Sequence, residues 1–212
     1  MHFDDFLKQA PKVLNVELPA ANAHRKMVPP NREELMKNMD FTKITPQKAA
    51  VLMLFYPKNS QTHLALIIRT PYDGVHSSQI AFPGGKIEPE DVDLKQTAIR
   101  ETHEEIGVHP SNVVIIRPFT EVYIPPSNYM VYPFLGYSQS ELEFQLQQDE
   151  VAGIVELPLV DFLDDRILVT NRMKTSYAGS IDVPGFQVEE HFIWGATAMM
   201  LSELKETLKM VL

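Results

Sequence analysis

Apolar positions along the 212-residue chain fall into short continuous runs and helical stripes. Two runs, Ala50 to Tyr56 and Leu64 to Arg69, predict buried strands with Pro57 to Ser60 as the turn between them. Further strands are expected over Val113 to Tyr123, Met130 to Tyr137 and Val151 to Leu157, with Pro125-Pro126-Ser127-Asn128 as a loop between the first two. Asp93 to Ile106 reads as a helix: Asp93 is an N-cap with Gln96 three residues on, and Gly107 then Pro110 mark the stop. Met200, Leu204, Leu208 and Val211 stand at helical spacing and predict an amphipathic helix from Ala196 to Val211. Residues 1–45 differ in character, with Pro11, Pro19, Pro29 and Pro30 and two short helical candidates. The better of these is Asn31 to Met36, which follows Pro30 at a position suited to a helix start. The expected organisation is thus an N-terminal extension, 1–45, packing on or beside the core, and one domain over 46–212. Strands and helices in mixed order, without regular βαβ alternation, predict a mixed sheet flanked by helices.

Composition narrows the function classes. With 44% hydrophobic and 22% charged residues the chain reads as an ordinary globular protein, long enough to bury a core. The best apolar run, Ala49 to Tyr56, is far short of the ~18 residues a membrane span needs. The first residues lack the basic segment and apolar stretch of a secretory signal. A cytoplasmic protein with no membrane partner is expected. The absence of cysteine excludes disulfides, thiolate metal sites and cysteine nucleophiles. A net charge of −9 argues against nucleic acid as a partner, because phosphate-backbone binding needs clustered Lys and Arg. An anionic small molecule stays open if a divalent cation offsets the repulsion. Oligomeric state is open too, a homodimer being the commonest closed symmetry.

The predicted helix carries the densest chemistry. At ~100° per residue, Ala98, Ile99, Thr102 and Ile106 share an arc that can pack on a sheet, while Glu101, Glu104 and Glu105 share the neighbouring arc. Like charges at i,i+3 and i,i+4 oppose a helix by ~0.2–0.5 kcal/mol per pair. Their place late in the helix, where the macrodipole prefers cations, adds to the cost. A solvated acidic face is the plain explanation of such a cluster. A hard divalent cation, bound by carboxylate oxygens, would instead turn the clustering into an asset.

The surroundings favour the second explanation. Gly85, followed by Arg100-Glu101-Thr102-His103-Glu104-Glu105-Ile106-Gly107-Val108, resembles the signature of the Nudix hydrolases. This chain departs from it in two ways: Gly85 and Arg100 lie one residue further apart, and Thr102 replaces an aliphatic residue. The first signature acid is best matched by Asp91, with Glu88 and Glu90 as rivals. The extra residue resembles the coenzyme A pyrophosphatase branch, which Gly84-Gly85-Lys86-Ile87-Glu88-Pro89-Glu90-Asp91 fits. The resemblance covers roughly residues 48 to 208 and implies an α/β fold of the α+β kind, an α/β/α sandwich with a mixed β-sheet. It implies Mg²⁺ or Mn²⁺ held by Glu101, Glu104 and Glu105, with the Gly85 carbonyl as a further ligand. Arg100 would pair with a helix glutamate or with Asp91 and hold the carboxylates in place; an ordinary exposed ion pair is the alternative. The general base is a helix glutamate or a distant acid, for which Glu150, before the strand at Val151, is the candidate.

The coenzyme A branch carries a second signature ending at Phe82-Pro83-Gly84-Gly85. This chain supplies Leu64, Arg69 and a near match at Thr70, and His76 is common in that branch, which makes Arg69, His76 and Gly84 candidates for substrate binding. It lacks other parts: Ala65 replaces a threonine, Gly74 stands where a second arginine is expected, and Ser78 where a glycine is. Tyr132-Pro133-Phe134-Leu135-Gly136 and Trp194-Gly195-Ala196-Thr197-Ala198 are also similar to that branch. Trp194 is expected in the core, and Tyr123 and Tyr129 flank a loop where they would stack on an adenine or simply pack. The resemblance implies hydrolysis of a nucleoside diphosphate linked to another group. Coenzyme A or its thioesters come first as substrate, then dinucleotides, ADP-ribose and nucleotide sugars. A nucleotide sensor without turnover is the rival function, and retention of every helix carboxylate speaks against it.

Overall fold

The computed structural model describes residues 1–30, 32, 36, 39–40, 43–71, 79–175 and 179–212. Among these are five α-helices, α1 (Phe3–Gln9), α2 (Ala20–His24), α3 (Leu94–Ile106), α4 (Leu159–Leu163) and α5 (Gly195–Lys209). The strands are β1 (Gln47–Lys58), β2 (Gln61–Arg69), β3 (Ile80–Ala81), β4 (Gly84–Lys86), β5 (Val114–Pro118), β6 (Val122–Ile124), β7 (Tyr129–Tyr137), β8 (Val151–Pro158), β9 (Leu168–Thr175), β10 (Gly179–Val188) and β11 (His191–Trp194). The expected helix at Asn31 to Met36 falls mostly outside the described residues, as do His76, Gly74 and Ser78.

β1 organises the molecule because both of its faces are apolar. Ala49, Val51, Met53 and Phe55 enter one buried cluster, while Ala50, Leu52, Leu54 and Tyr56 enter another. A strand that alternates every second residue between two cores must be central. Ala98 and Ile106 of α3 cover the second cluster, whereas Phe3 and Phe6 of α1 and Met200, Leu204 and Leu208 of α5 cover the first. The result is the α/β/α sandwich with a mixed sheet: β3-β2-β1-β7-β5 in order, with β4 on β1, β6 on β7 and β8 on β2. β1 and β7 run parallel, and the other pairings in that sheet are antiparallel.

Local chemistry explains where the elements differ from expectation. The β1–β2 turn narrows to Asn59 and Ser60, both with positive φ, as a two-residue hairpin demands. Pro57 and Lys58 therefore stay in the strand, opposite Thr62 and Gln61. The expected single strand from Val113 to Tyr123 breaks into β5 and β6. At the break the Thr120 N–H and hydroxyl turn aside to donate to Glu203 of α5, at 3.2 and 2.5 Å. A second sheet, β9-β10-β11, was not expected from the periodicity at all.

The N-terminal residues enter the same core. His2 caps α1 by accepting from the Asp4 N–H, and the Phe3 N–H donates to the Ser60 carbonyl at 2.9 Å. Phe6 then packs at a tilt against Phe55 of β1, ring centres 4.9 Å apart. Glu203, fully buried, ties α2 to α5: it accepts from the Ala20 N–H at 3.1 Å and lies 3.2 Å from His24 Nε2. With the two Thr120 bonds its carboxyl group has the partners a buried polar group requires.

Candidate active site

α3 begins and ends as its capping residues dictate. The Asp93 carboxylate accepts the Gln96 N–H at 2.8 Å, and Gly107, left-handed at φ 75°, closes the last turn. Two orphan carbonyls of that turn are satisfied from outside the helix: Gln145 donates to Ile106 and Gln147 to Glu105, each at 3.0 Å. Thr102 is fully buried on the packing face, where its hydroxyl donates to the Ala98 carbonyl at 2.7 Å. That internal bond lets a threonine occupy an aliphatic position.

Arg100 is the hub of the polar face. Its Nε and one terminal nitrogen grip the two oxygens of Asp91, both at 3.0 Å, in a fork-to-fork pair. The other terminal nitrogen donates to Glu101 at 3.1 Å and to Glu104 at 2.8 Å, and a further bond reaches the Lys86 carbonyl at 3.0 Å. Asp91 is itself fixed by the Glu88 N–H and the Thr97 hydroxyl, each at 2.9 Å. Hydrogen bonding from Arg100 holds the Asp91 pKa down, to about 2. Asp91 thus anchors Arg100, and Arg100 sets the two glutamates.

The three glutamates differ in environment. Glu104 is half exposed, Glu101 mostly buried, and Glu105 only 1% exposed. Burial pushes the Glu101 carboxyl up, opposed by Arg100. Burial raises Glu105 further, to about 8, with Glu101 and Glu150 adding repulsion. Glu105 is held by the Gly84 N–H at 2.8 Å and lies 3.5 Å from an Arg69 nitrogen. Gly85 lies so close to Glu101 that a Cβ there would stand 2.4 Å from its Oε1. Only glycine lets the carboxylate rest against the β4 backbone.

Arg100, the three glutamates, Gly84, Gly85 and Arg69 face one cavity of about 1170 Å³, and Asp91 stands behind Arg100, outside its lining. Of the expected site residues, Glu101, Glu104, Glu105, Arg100, Glu150, Gly84, Gly85 and Arg69 line it, and His76 lies outside the described residues. Among the described residues no three acidic or histidine side chains are already gathered as a metal cage. The reason is visible: Arg100 holds Glu101 and Glu104, while Gly84 and Arg69 hold Glu105. The donor set nevertheless fits a hard cation, since it is all oxygen and anionic, and Mg²⁺ takes only one or two carboxylates when substrate phosphates complete its shell. The mutual repulsion among Glu101, Glu105 and Glu150 is what such a charge would relieve.

Other wall residues are ones to which the sequence reading gave no site role or left two roles open. Trp194, expected in the core, is half-buried and lines the cavity, as does Tyr129; Tyr123 is buried with its hydroxyl on Asn128 at 3.0 Å. Arg32 and Thr197 also line it, although they lie more than fifty residues from the glutamate helix in sequence. No local pattern marks residues that only the fold brings together.

Fold and site together define the class. Residues 46–185 match the family model of the NUDIX domain, and the protein belongs to the Nudix family. It is 30% identical over 186 residues to the uncharacterized Nudix hydrolase NudL of Yersinia pestis (strain Pestoides F), covering 84% of this chain and 87% of that protein. Among solved structures, the Nudix hydrolase RenU from M. Smegmatis superposes with a TM-score of 0.53 at 16% identity, over 79% of this chain and 88% of that one. A MutT/nudix family protein from Enterococcus faecalis gives 0.52 at 12% identity, over 88% and 72%. At such identities these two structures speak for the fold alone.

Proposed function

We propose that this Nudix hydrolase, a class acting on nucleotide diphosphate-linked substrates, cleaves coenzyme A or an acyl-coenzyme A with Mg²⁺ or Mn²⁺. The products are 3′,5′-ADP and (acyl-)4′-phosphopantetheine. Water adds to one phosphorus, the bridging P–O bond breaks, and the leaving phosphate carries away the electron pair. The observation that carries the reading is the convergence of Glu101, Glu104, Glu105 and Glu150 on one cavity beside Gly84 and Gly85. For coenzyme A in particular the support is the upstream match at Leu64, Arg69 and Phe82 to Gly85, together with the spacing from Gly85 to Arg100.

In this reading Glu101, Glu104 and Glu105, with the Gly85 carbonyl, would hold the metal. When bound, it supplies charge neutralisation on the diphosphate and a more acidic water. Arg100 orients Glu101 and Glu104, and the Gly84 N–H aims one oxygen of Glu105. Arg69, already beside Glu105, is placed to take a substrate phosphate oxygen. Glu150, on the same cavity, accepts the proton of the attacking water.

The test is hydrolysis of coenzyme A, acetyl-coenzyme A, ADP-ribose and dinucleotide polyphosphates with Mg²⁺ or Mn²⁺, products separated by chromatography. Release of 3′,5′-ADP from coenzyme A is expected. Cleavage of ADP-ribose or a dinucleotide alone would reassign the substrate, and turnover of none would leave a nucleotide-binding protein without this activity.

A further inference from the structure

A carboxylate that takes a proton from water has to stay within hydrogen-bond reach of it. Glu150 nevertheless belongs to an exposed turn, outside any helix or strand. The turn closes on itself through the Gln147 carbonyl, which accepts from the Glu150 and Val151 N–H groups at 2.9 and 2.8 Å. At one end the Gln147 N–H donates to the Glu105 carbonyl, at 3.0 Å, in the last turn of α3. At the other end Thr70 donates twice: its N–H to the Glu150 carbonyl at 3.0 Å and its hydroxyl to the Asp149 carbonyl at 2.8 Å. None of these bonds uses the Glu150 carboxylate, which lines the cavity.

Thr70 stands where β2 runs out. The pairing of β2 with β8 shifts register between Ile68 and Arg69, Arg69 faces Val151, and Thr70 reaches past the strand end onto the turn. Among the described residues, the Thr70 hydroxyl is the one side-chain group bonded to residues 147–150. A turn held at that end by a single backbone bond can pivot about it. Two donors on two consecutive carbonyls remove the pivot. Threonine suits the task, because its branched Cβ restricts the directions in which the hydroxyl points. Thr70 itself is outside the cavity lining, whereas its neighbour Arg69 is part of it.

We propose that Thr70 is a positioning residue for the hydrolysis: its hydroxyl clamps the 147–150 turn so that the Glu150 carboxylate stays on the cavity wall with Glu101 and Glu105. The inference rests on the reading of Glu150 as the acceptor of the water's proton. Thr70 touches neither the substrate nor the metal ligands and acts through Glu150. Misplacing such a group by about an ångström is enough to slow the reaction severely.

Steady-state hydrolysis with Mg²⁺, on a diphosphate that the wild type cleaves, tests this in Thr70→Val, Thr70→Ser, Glu150→Gln and the double variant Thr70→Val with Glu150→Gln. Glu150→Gln should lower kcat by at least ~100-fold. Thr70→Val keeps the shape and removes the hydroxyl; it should lower kcat about tenfold with KM unchanged, and Thr70→Ser should stay within about threefold of the wild type. An effect passed through Arg69, on the substrate's phosphates, would raise KM instead. Added to Glu150→Gln, Thr70→Val should cost less than about twofold more, because the carboxylate that it positions is gone. Amide exchange read by mass spectrometry should speed up over 147–151 in Thr70→Val while α3 stays protected. Full kcat in Thr70→Val, an equal loss in both backgrounds, or unchanged exchange over 147–151 overturns the role of Thr70 and leaves that of Glu150 standing. Wild-type kcat in Glu150→Gln, or no turnover by the wild type, removes Glu150 as proton acceptor and the clamp's part in catalysis with it.

Discussion

Glu105 keeps a carboxyl group at 1% exposure with one backbone N–H and an arginine 3.5 Å away. Its folded-state pKa of about 8 lies above the ordinary carboxylate value, so the folded state binds the proton more tightly than the unfolded one. Its contribution to stability is therefore full below about pH 4 and is lost as pH rises through the folded value. Glu105→Gln, which stays neutral, should melt progressively higher than the metal-free wild type as pH rises, by roughly 4 °C at pH 9. Calorimetric scans in EDTA at pH 5 and 9 measure this; a constant gap would mean Glu105 is not the titrating group. With Mg²⁺ the same variant should lose at least ~100-fold in kcat. Gly85→Ala should push the Glu101 carboxylate aside and lower kcat by about 10–100-fold while the melting temperature changes little. Sequence periodicity places Glu105 on the same arc as Glu101 and Glu104. It could not show the burial that separates them, because Gly84 reaches Glu105 through the pairing of β4 with β1.

At the scale of elements, the segment from Lys86 to Asp91 and helix α3 act as one unit, joined through Arg100. Asp91→Asn leaves one acceptor oxygen for a guanidinium that now grips two. It should lower kcat by about tenfold and loosen Glu101 and Glu104 together. Because the Asp91 pKa is depressed to about 2, its stabilising contribution is complete above the ordinary aspartate value and lost as pH falls toward 2. The wild type should lose its stability advantage over Asp91→Asn across that acidic interval, as thermal melts from pH 6 to pH 2 would register. α3 was legible because its start, stop and packing stripe are local: Asp93 with Gln96, Gly107, and the Ala98-Thr102-Ile106 face. β9 and β10 were not, since Leu168 to Thr175 and Gly179 to Val188 carry polar residues on both alternations and a proline at 184. Their pairing, not their own pattern, makes them strands.

For the molecule as a whole, the first residues matter more than their proline-rich composition suggests. Phe3 packs on Phe6 and Phe6 on Phe55, which lies far along the chain, so only the folded structure joins them. Phe6→Ala should destabilise the protein by about 3–5 kcal/mol, a fall of roughly 10 °C in Tm, with the metal-dependent kcat retained below the transition. Thermal melts and a parallel assay at low temperature would separate the two effects. The cavity, finally, takes its carboxylates from Glu88, Glu101, Glu104, Glu105 and Glu150, and much of its remaining wall from Arg32, the 124–129 loop and the start of α5. The two sets are structurally separable. Arg32, Tyr129 and Thr197 make none of the bonds that join Arg100 to Asp91, Glu101 and Glu104, so on the proposed function the wall of the cavity can be redesigned by substitution while the carboxylate arrangement stays as it is.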